Sequence, residues 1–180
     1  MTSLLAHLTE GDEGAADKLL PLIYGELHRM AERKMRGQSP DHTLQATALV
    51  NEAYLKLFQD GKGRVKNREH FLALAATAMR SVLVDHARTK NRQKRKATGK
   101  NVPLDNLLDS YQSRAVVDLI ALDDALKKLA EFDADMARVV ELRFFGGLSV
   151  KEVASVLEVS TRRVEREWTM AKAWLRGVLA

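Results

Sequence analysis

Arg162, Arg163 and Arg166 stand within five residues of one another, just behind Ser160. A guanidinium offers a planar fork of donors that pairs bidentately with a guanine edge or with a phosphate. Three of them at the start of one helix suggest contact with a nucleic acid. Thr161, Glu165 and Thr169 share the outward side of that helix, while Lys172 and Arg176 further along are better placed for phosphate. The alternative for such a set is a solvated charged face with no ligand.

No catalytic constellation competes with this chemistry. His7, His28, His42, His70 and His86 are scattered without metal-ligand spacing, and the chain has no cysteine. Asp85-His86 falls on a helix that leads into a basic run, where a structural or DNA-proximal pair is expected rather than a metal site. There is no glycine-rich phosphate loop behind a strand and no nucleophile elbow. The expectation is a protein that is not an enzyme and that uses no metal or cofactor.

The elements that must hold the arginines are marked by end signals. A helix ending at Phe145 meets Gly146-Gly147, residues suited to a helix stop. Ser149 followed three residues later by Glu152 has the pattern of a capping box. The short helix 150–157 buries Val153, Ala154 and Leu157, and a turn at Glu158-Val159 leads to Ser160, a second N-cap. The longer helix that follows turns Val164, Trp168, Ala171 and Leu175 to the core. Trp174 lies off that stripe, against a neighbouring helix or partly exposed. Two capped helices with a short turn, over about residues 137–179, make a helix-turn-helix, whose second helix places its first residues in the major groove.

The rest of the chain also reads as helix. Apolar stripes run through Leu19, Leu20, Ile23, Leu27, Met30 and Ala31, with Pro21 at a helix start. They continue through Ala46, Leu49, Val50, Ala53, Tyr54, Leu57 and Phe58. A third runs through Phe71, Leu74, Ala75, Ala78, Met79, Val82 and His86, with Asn67 as N-cap. No segment alternates long enough to argue a sheet. The fold class expected is all-α: an N-terminal helical bundle and a C-terminal helix-turn-helix domain joined by a linker. The boundaries are 1–98, a linker at 99–117 with a possible turn at 104–108, and 118–180.

Charge divides along the same line. Residues 1–100 hold 18 Lys/Arg against 11 Asp/Glu, a net of +7, and residues 101–180 hold 11 against 13, a net of −2. From His86 to Lys100 there are seven Lys/Arg and no acid. Such asymmetry suggests that the first half meets a polyanion. No apolar run is long enough to span a bilayer and the N-terminus lacks the pattern of a secretory signal, so a cytoplasmic protein without a membrane partner is expected.

The stretch LRFFGGLSVKEVASVLEVSTRRVEREW, followed by AKAWL, resembles the fourth-region domain of extracytoplasmic-function (ECF) RNA polymerase sigma factors. LVNEAYLKLF resembles the polymerase-binding helix of their second-region domain, and FLALAATAMRSVLVDHARTKNRQKR its promoter-opening helix. The resemblance implies that the first domain docks on the β′ clamp through Gln45, Thr47, Ala48, Asn51, Glu52 and Leu55. It implies that the same domain holds and separates the −10 element. Arg64, Lys66, Asn67 and Arg68 lie in or beside the loop expected to contact the non-template strand. Arg80, Arg88, Asn91, Arg92 and Arg95 lie on the promoter-opening helix. The second domain would read the −35 element and touch the β flap.

Three departures from the family pattern bear on regulation. Glu165 stands where the family usually has Lys. The acidic patch expected before LVNE is replaced by the uncharged Gln45-Ala46-Thr47-Ala48, the first acid being Glu52. In this the chain resembles kinase-associated branches of the family, and a phosphate on Thr47, or alternatively Thr43, would add about −1.5 to −2 charge there. Thr47 as a simple helix-start residue is the competing account. There is no cysteine-histidine cluster and no C-terminal extension, so control is expected from an anti-sigma factor or a Ser/Thr kinase. The rival to a sigma factor is a dimeric helix-turn-helix regulator that acts without replacing sigma.

Overall fold

The computed structural model describes residues 13–35, 45–58, 65, 67–95 and 119–179. These residues form seven α-helices and no strand. The linker expected at 99–117 lies outside them.

Helix α1 (Glu13–Met35) starts earlier than its apolar stripe suggests, which puts Pro21 inside the helix rather than at its start. The proline removes one backbone hydrogen bond. The turns that follow bury Ile23, Leu27, Met30 and Ala31 and hold the helix through it. Helix α2 (Ala46–Phe58) buries Leu49, Val50 and Ala53 against α1. Helix α3 (Arg68–Arg95) begins behind Asn67, whose side chain accepts the His70 backbone N–H at 2.7 Å.

Most of the architecture turns on α3. Phe71, Ala75, Ala78, Met79 and Val82 form one buried stripe. Leu72, Ala76 and Leu83, at i, i+4 and i+11, extend the apolar surface round to a second face. A helix apolar on two faces needs two partners. On one side α3 packs on α2; on the other it packs on elements from the C-terminal half.

Those elements begin with α4 (Leu119–Phe132), which buries Leu122, Ala125, Leu126 and Leu129. Asp133 caps α5 (Ala134–Val140) by accepting from the Met136 N–H at 2.8 Å. The helix then widens into a π-helical turn, Glu141–Phe145, which buries Leu142 and Phe145. Gly146 ends that turn close against α3. A Cβ there would stand 2.8 Å from the Cβ of Ala76, and 2.7 Å from both the Leu142 carbonyl and Leu148 Cδ1. Gly147 has φ +63, and a Cβ on it would meet Met30 and Arg33 of α1 at 3.2 Å. These two glycines let the C-terminal half lie against α1 and α3.

Helix α6 (Val150–Leu157) carries the full capping box between Ser149 and Glu152, and Glu158 ends it in the left-handed region at φ 55. Val153 and Ala154 are buried, whereas Leu157 is half-buried. Helix α7 (Thr161–Leu179) follows and buries Val164, Ala171 and Leu175 against α4, α5 and α6. Trp168 and Trp174 are both half-buried against the same core.

Glu152 does more than cap. Arg33 on α1 donates to its carboxylate at 2.7 and 3.4 Å and to the Gly147 carbonyl at 3.3 Å. Burial raises the Glu152 carboxyl. Hydrogen bonds from Arg33 and from the Ser149 backbone and hydroxyl outweigh that and hold its pKa at about 2. Beside it, burial pushes the Lys34 ammonium down to about 7, while the Phe144 ring, 3.4 Å from Nζ, favours the charged form.

Two measurements follow from this packing. Gly146→Ala overpacks the approach to α3 and lowers stability by about 1–3 kcal/mol. Gly177→Ala, with nothing within 4 Å, raises it by about 0.5–1 kcal/mol. Equal effects in chemical denaturation contradict the close approach. The second concerns pH. Because the folded pKa of Glu152 lies below its ordinary 4.5, its contribution is present above pH 4.5 and is lost as pH falls towards about 2. The stability difference between the wild type and Glu152→Gln therefore shrinks across that window. A constant difference rules the contribution out.

Candidate nucleic-acid interface

The helix-turn-helix is set by two local devices. The left-handed Glu158 turns the chain after α6, and the Ser160 hydroxyl accepts the Arg163 backbone N–H at 3.2 Å to start α7. Thr161, Arg162, Glu165, Arg166 and Thr169 are exposed along the first turns of α7. The Thr169 hydroxyl donates to the Glu165 carbonyl at 2.9 Å. Arg176 is exposed and Lys172 half-buried further along the helix.

Arg163 is placed differently from the outward position expected of it. Its Nε donates to Glu167 at 2.6 Å and its Nη2 to Asp135 at 2.7 Å. Glu167 is only 7% exposed, so its charge needs a partner within the fold, and the residue four positions earlier supplies it. Glu167 thus orients Arg163 rather than Arg162 or Arg166, and Arg163 ties α7 to the start of α5. Arg143 lies over the Trp168 ring, 4.7 Å from its centroid.

Gln45, just ahead of α2, and Thr47, Asn51, Glu52 and Leu55 on it are exposed, and Ala48 is half-buried. Thr47 sits in the first turn, which contains no acid. The Tyr24 hydroxyl donates to Asn51 Oδ1 at 3.1 Å, joining the start of this face to α1. Leu55 is half exposed, so the face ends in an apolar residue. Lys56 is turned away, donating to Asp85 and Ser81 of α3 at 2.6 Å each. Asp85 is thereby a structural partner.

Arg68, Arg80 and Arg88 of α3 are held by acids. Arg68 donates to Glu26 at 2.9 Å and lies 3.6 Å from Glu152. Arg80 donates through Nε to Asp123 of α4 at 2.9 Å and stands 3.7 Å from Glu141. Arg88 reaches the same Asp123 at 3.4 Å. Burial raises the Asp123 carboxyl, but hydrogen bonds from Lys127 and Arg80 outweigh it and hold it below the ordinary carboxylate range. Asn67 is committed to its cap. Asn91, Arg92 and Arg95 continue α3. Their side chains, together with Arg64 and Lys66, fall outside the described residues.

Sequence reasoning missed Glu26, Asp123, Glu141 and Glu152 as partners of the basic residues. A signal for Asp123 was available. It lies between Leu122 and the Ala125-Leu126 pair, on the edge of an apolar stripe where an acid requires a cation. Among the described residues no group of His, Asp and Glu could hold a metal ion, and no helix is long and apolar enough to cross a membrane.

The geometry joins a capped helix-turn-helix to a helical unit whose second helix has an exposed polar side and whose third helix is basic. The family model for ECF sigma factors matches residues 1–180. Curated protein sequences hold no match. With the family pattern spanning the whole chain, this protein belongs to the ECF sigma factors, which direct transcription initiation by RNA polymerase at promoters.

Proposed function

We propose that this sigma factor divides its work between the two halves of the chain. Residues 1–98 dock on the β′ clamp through the exposed side of α2, from Gln45 to Leu55, and hold the −10 element through the basic side of α3. Residues 118–180 read the −35 element as duplex through the start of α7. The observation that carries the second role is the run of exposed Thr161, Arg162, Glu165 and Arg166 behind the Ser160 cap. Helix starts of this kind bring side chains to base edges in the major groove. Arg166 can pair with guanine, and Glu165 can accept from a cytosine amino group. Arg163 contributes by holding α7 in place.

The uncharged start of α2 supports control by phosphorylation. Thr47 is exposed in the first helical turn, and no acid occupies that turn. A phosphate there would add about −1.5 to −2 charge. It would sit at the positive end of the helix dipole and supply charge for docking on basic clamp helices. Thr43, the alternative acceptor, lies outside the described residues. A Ser/Thr kinase is therefore the partner this surface favours, ahead of an anti-sigma factor, and the cytoplasm is where polymerase, kinase and promoter meet.

One experiment tests both parts. Core polymerase is mixed with wild type, Thr47→Ala or Thr47→Glu, and initiation is mapped on a set of promoter fragments. Specific start sites appear only with the protein present, and Thr47→Glu initiates more strongly than Thr47→Ala. Equal initiation by the two variants sinks the switch. DNA binding as a dimer without polymerase, and no specific start site, sinks the promoter roles of the two halves.

A further inference from the structure

Arg80 and Arg88 lie on one side of α3 and converge on a single carboxylate. Arg80 Nε meets Asp123 Oδ1 at 2.9 Å, and Arg88 Nη2 meets Oδ2 at 3.4 Å. Arg80 also donates to the Asp123 backbone carbonyl at 3.3 Å. Asp123 is only 6% exposed. Two guanidinium forks closing on one small oxyanion is also how arginine holds a phosphate.

We propose that Asp123 occupies on α3 the place of a promoter phosphate, so that the C-terminal half covers the DNA-holding side of α3 until DNA displaces it. The proposal rests on the assignment of the α3 arginines as promoter contacts. Three features make the two states exclusive and exchangeable. The donor edges that Arg80 and Arg88 turn to Asp123 are the ones a phosphate needs. A phosphate arriving beside Asp123 is repelled by it, so the acid must leave. Release is not prohibitive, because an enclosed ion pair regains on opening much of the hydration it gave up on closing. A second contact closes the same seam, where Arg33 on α1 grips Glu152 and the Gly147 carbonyl and Arg68 of α3 stands 3.6 Å from the same carboxylate. Opening therefore releases both carboxylates, Asp123 from α3 and Glu152 chiefly from α1.

The test measures binding of a short fluorescent single-stranded DNA to the full chain without polymerase. Asp123→Asn removes the competing charge. It is expected to bind about tenfold tighter at low salt, with a salt slope steeper by about 1.4, which is two phosphate contacts at about 0.7 each. Arg33→Ala weakens the Glu152 contact and leaves the α3 arginines unaltered, and it too binds tighter. This variant decides the matter if Asp123→Asn does not fold. Wild-type affinity in both variants, with helical content intact, overturns the proposal. In a parallel arm, Arg80→Ala combined with Arg88→Ala is assayed for promoter opening with core polymerase. Normal opening removes the α3 assignment and the proposal with it. Impaired opening beside unchanged affinities removes the closed state alone.

Discussion

Asp123 has surrendered nearly all of its water, and a carboxylate in that position persists only where cations enclose it. The cations come from two directions. Lys127 lies one turn further along the same helix, at 2.8 Å, and Arg80 and Arg88 come from α3 across the seam. Burying Leu122 and Leu126 on the rest of that helix forces Asp123 towards α3, and the arginines make the position tolerable. Glu141 is placed by the same logic, between Arg138 and Arg80. The contact between the halves is thus apolar at its centre and ionic along its edge. The ionic edge includes Arg80 and Arg88, the residues proposed above as promoter contacts.

This arrangement depends on backbone features that admit close approach. The π-helical turn carries Phe145 into the core beside α3, and Gly146 leaves room for Ala76 where a side chain would collide. Gly147, in the left-handed region, turns its carbonyl to Arg33. The same residues begin the helix-turn-helix, since Ser149 and Glu152 follow at once. One carboxylate, Glu152, therefore starts α6 and fastens that helix to α1. The start of the helix-turn-helix and the closure of the molecule are mechanically the same place.

Much of the fold is legible in the sequence because caps and stripes are local. Asn67, Ser149 and Ser160 act as N-caps, and Gly146-Gly147 stops the preceding helix. What local pattern does not reveal is the partner across the seam. Leu72, Ala76 and Leu83 are plainly apolar in the sequence, yet the stripe through Phe71 and Met79 already accounts for a helix with one buried face. Capping alone explains Glu152, so nothing in the sequence asks where Arg33 points. Arg163 looks outward by helical phase until the buried Glu167 claims it. The charge asymmetry between the halves has an answer within the molecule as well as outside it. Asp123, Glu141 and Glu152 pair with arginines of the first half, so the +7 and −2 regions partly neutralise each other. Composition registers that complementarity but does not distinguish an internal polyanion from an external one.

In the proposed cycle α3 serves the C-terminal half and promoter DNA in turn. Because the chain has no cysteine, single dyes can be placed at Glu32→Cys on α1 and Lys128→Cys on α4, both exposed. Energy transfer between them reports the seam directly. High transfer in the free protein and a large fall when core polymerase and promoter DNA are added is the predicted result. Undiminished transfer in a complex that actively initiates contradicts it.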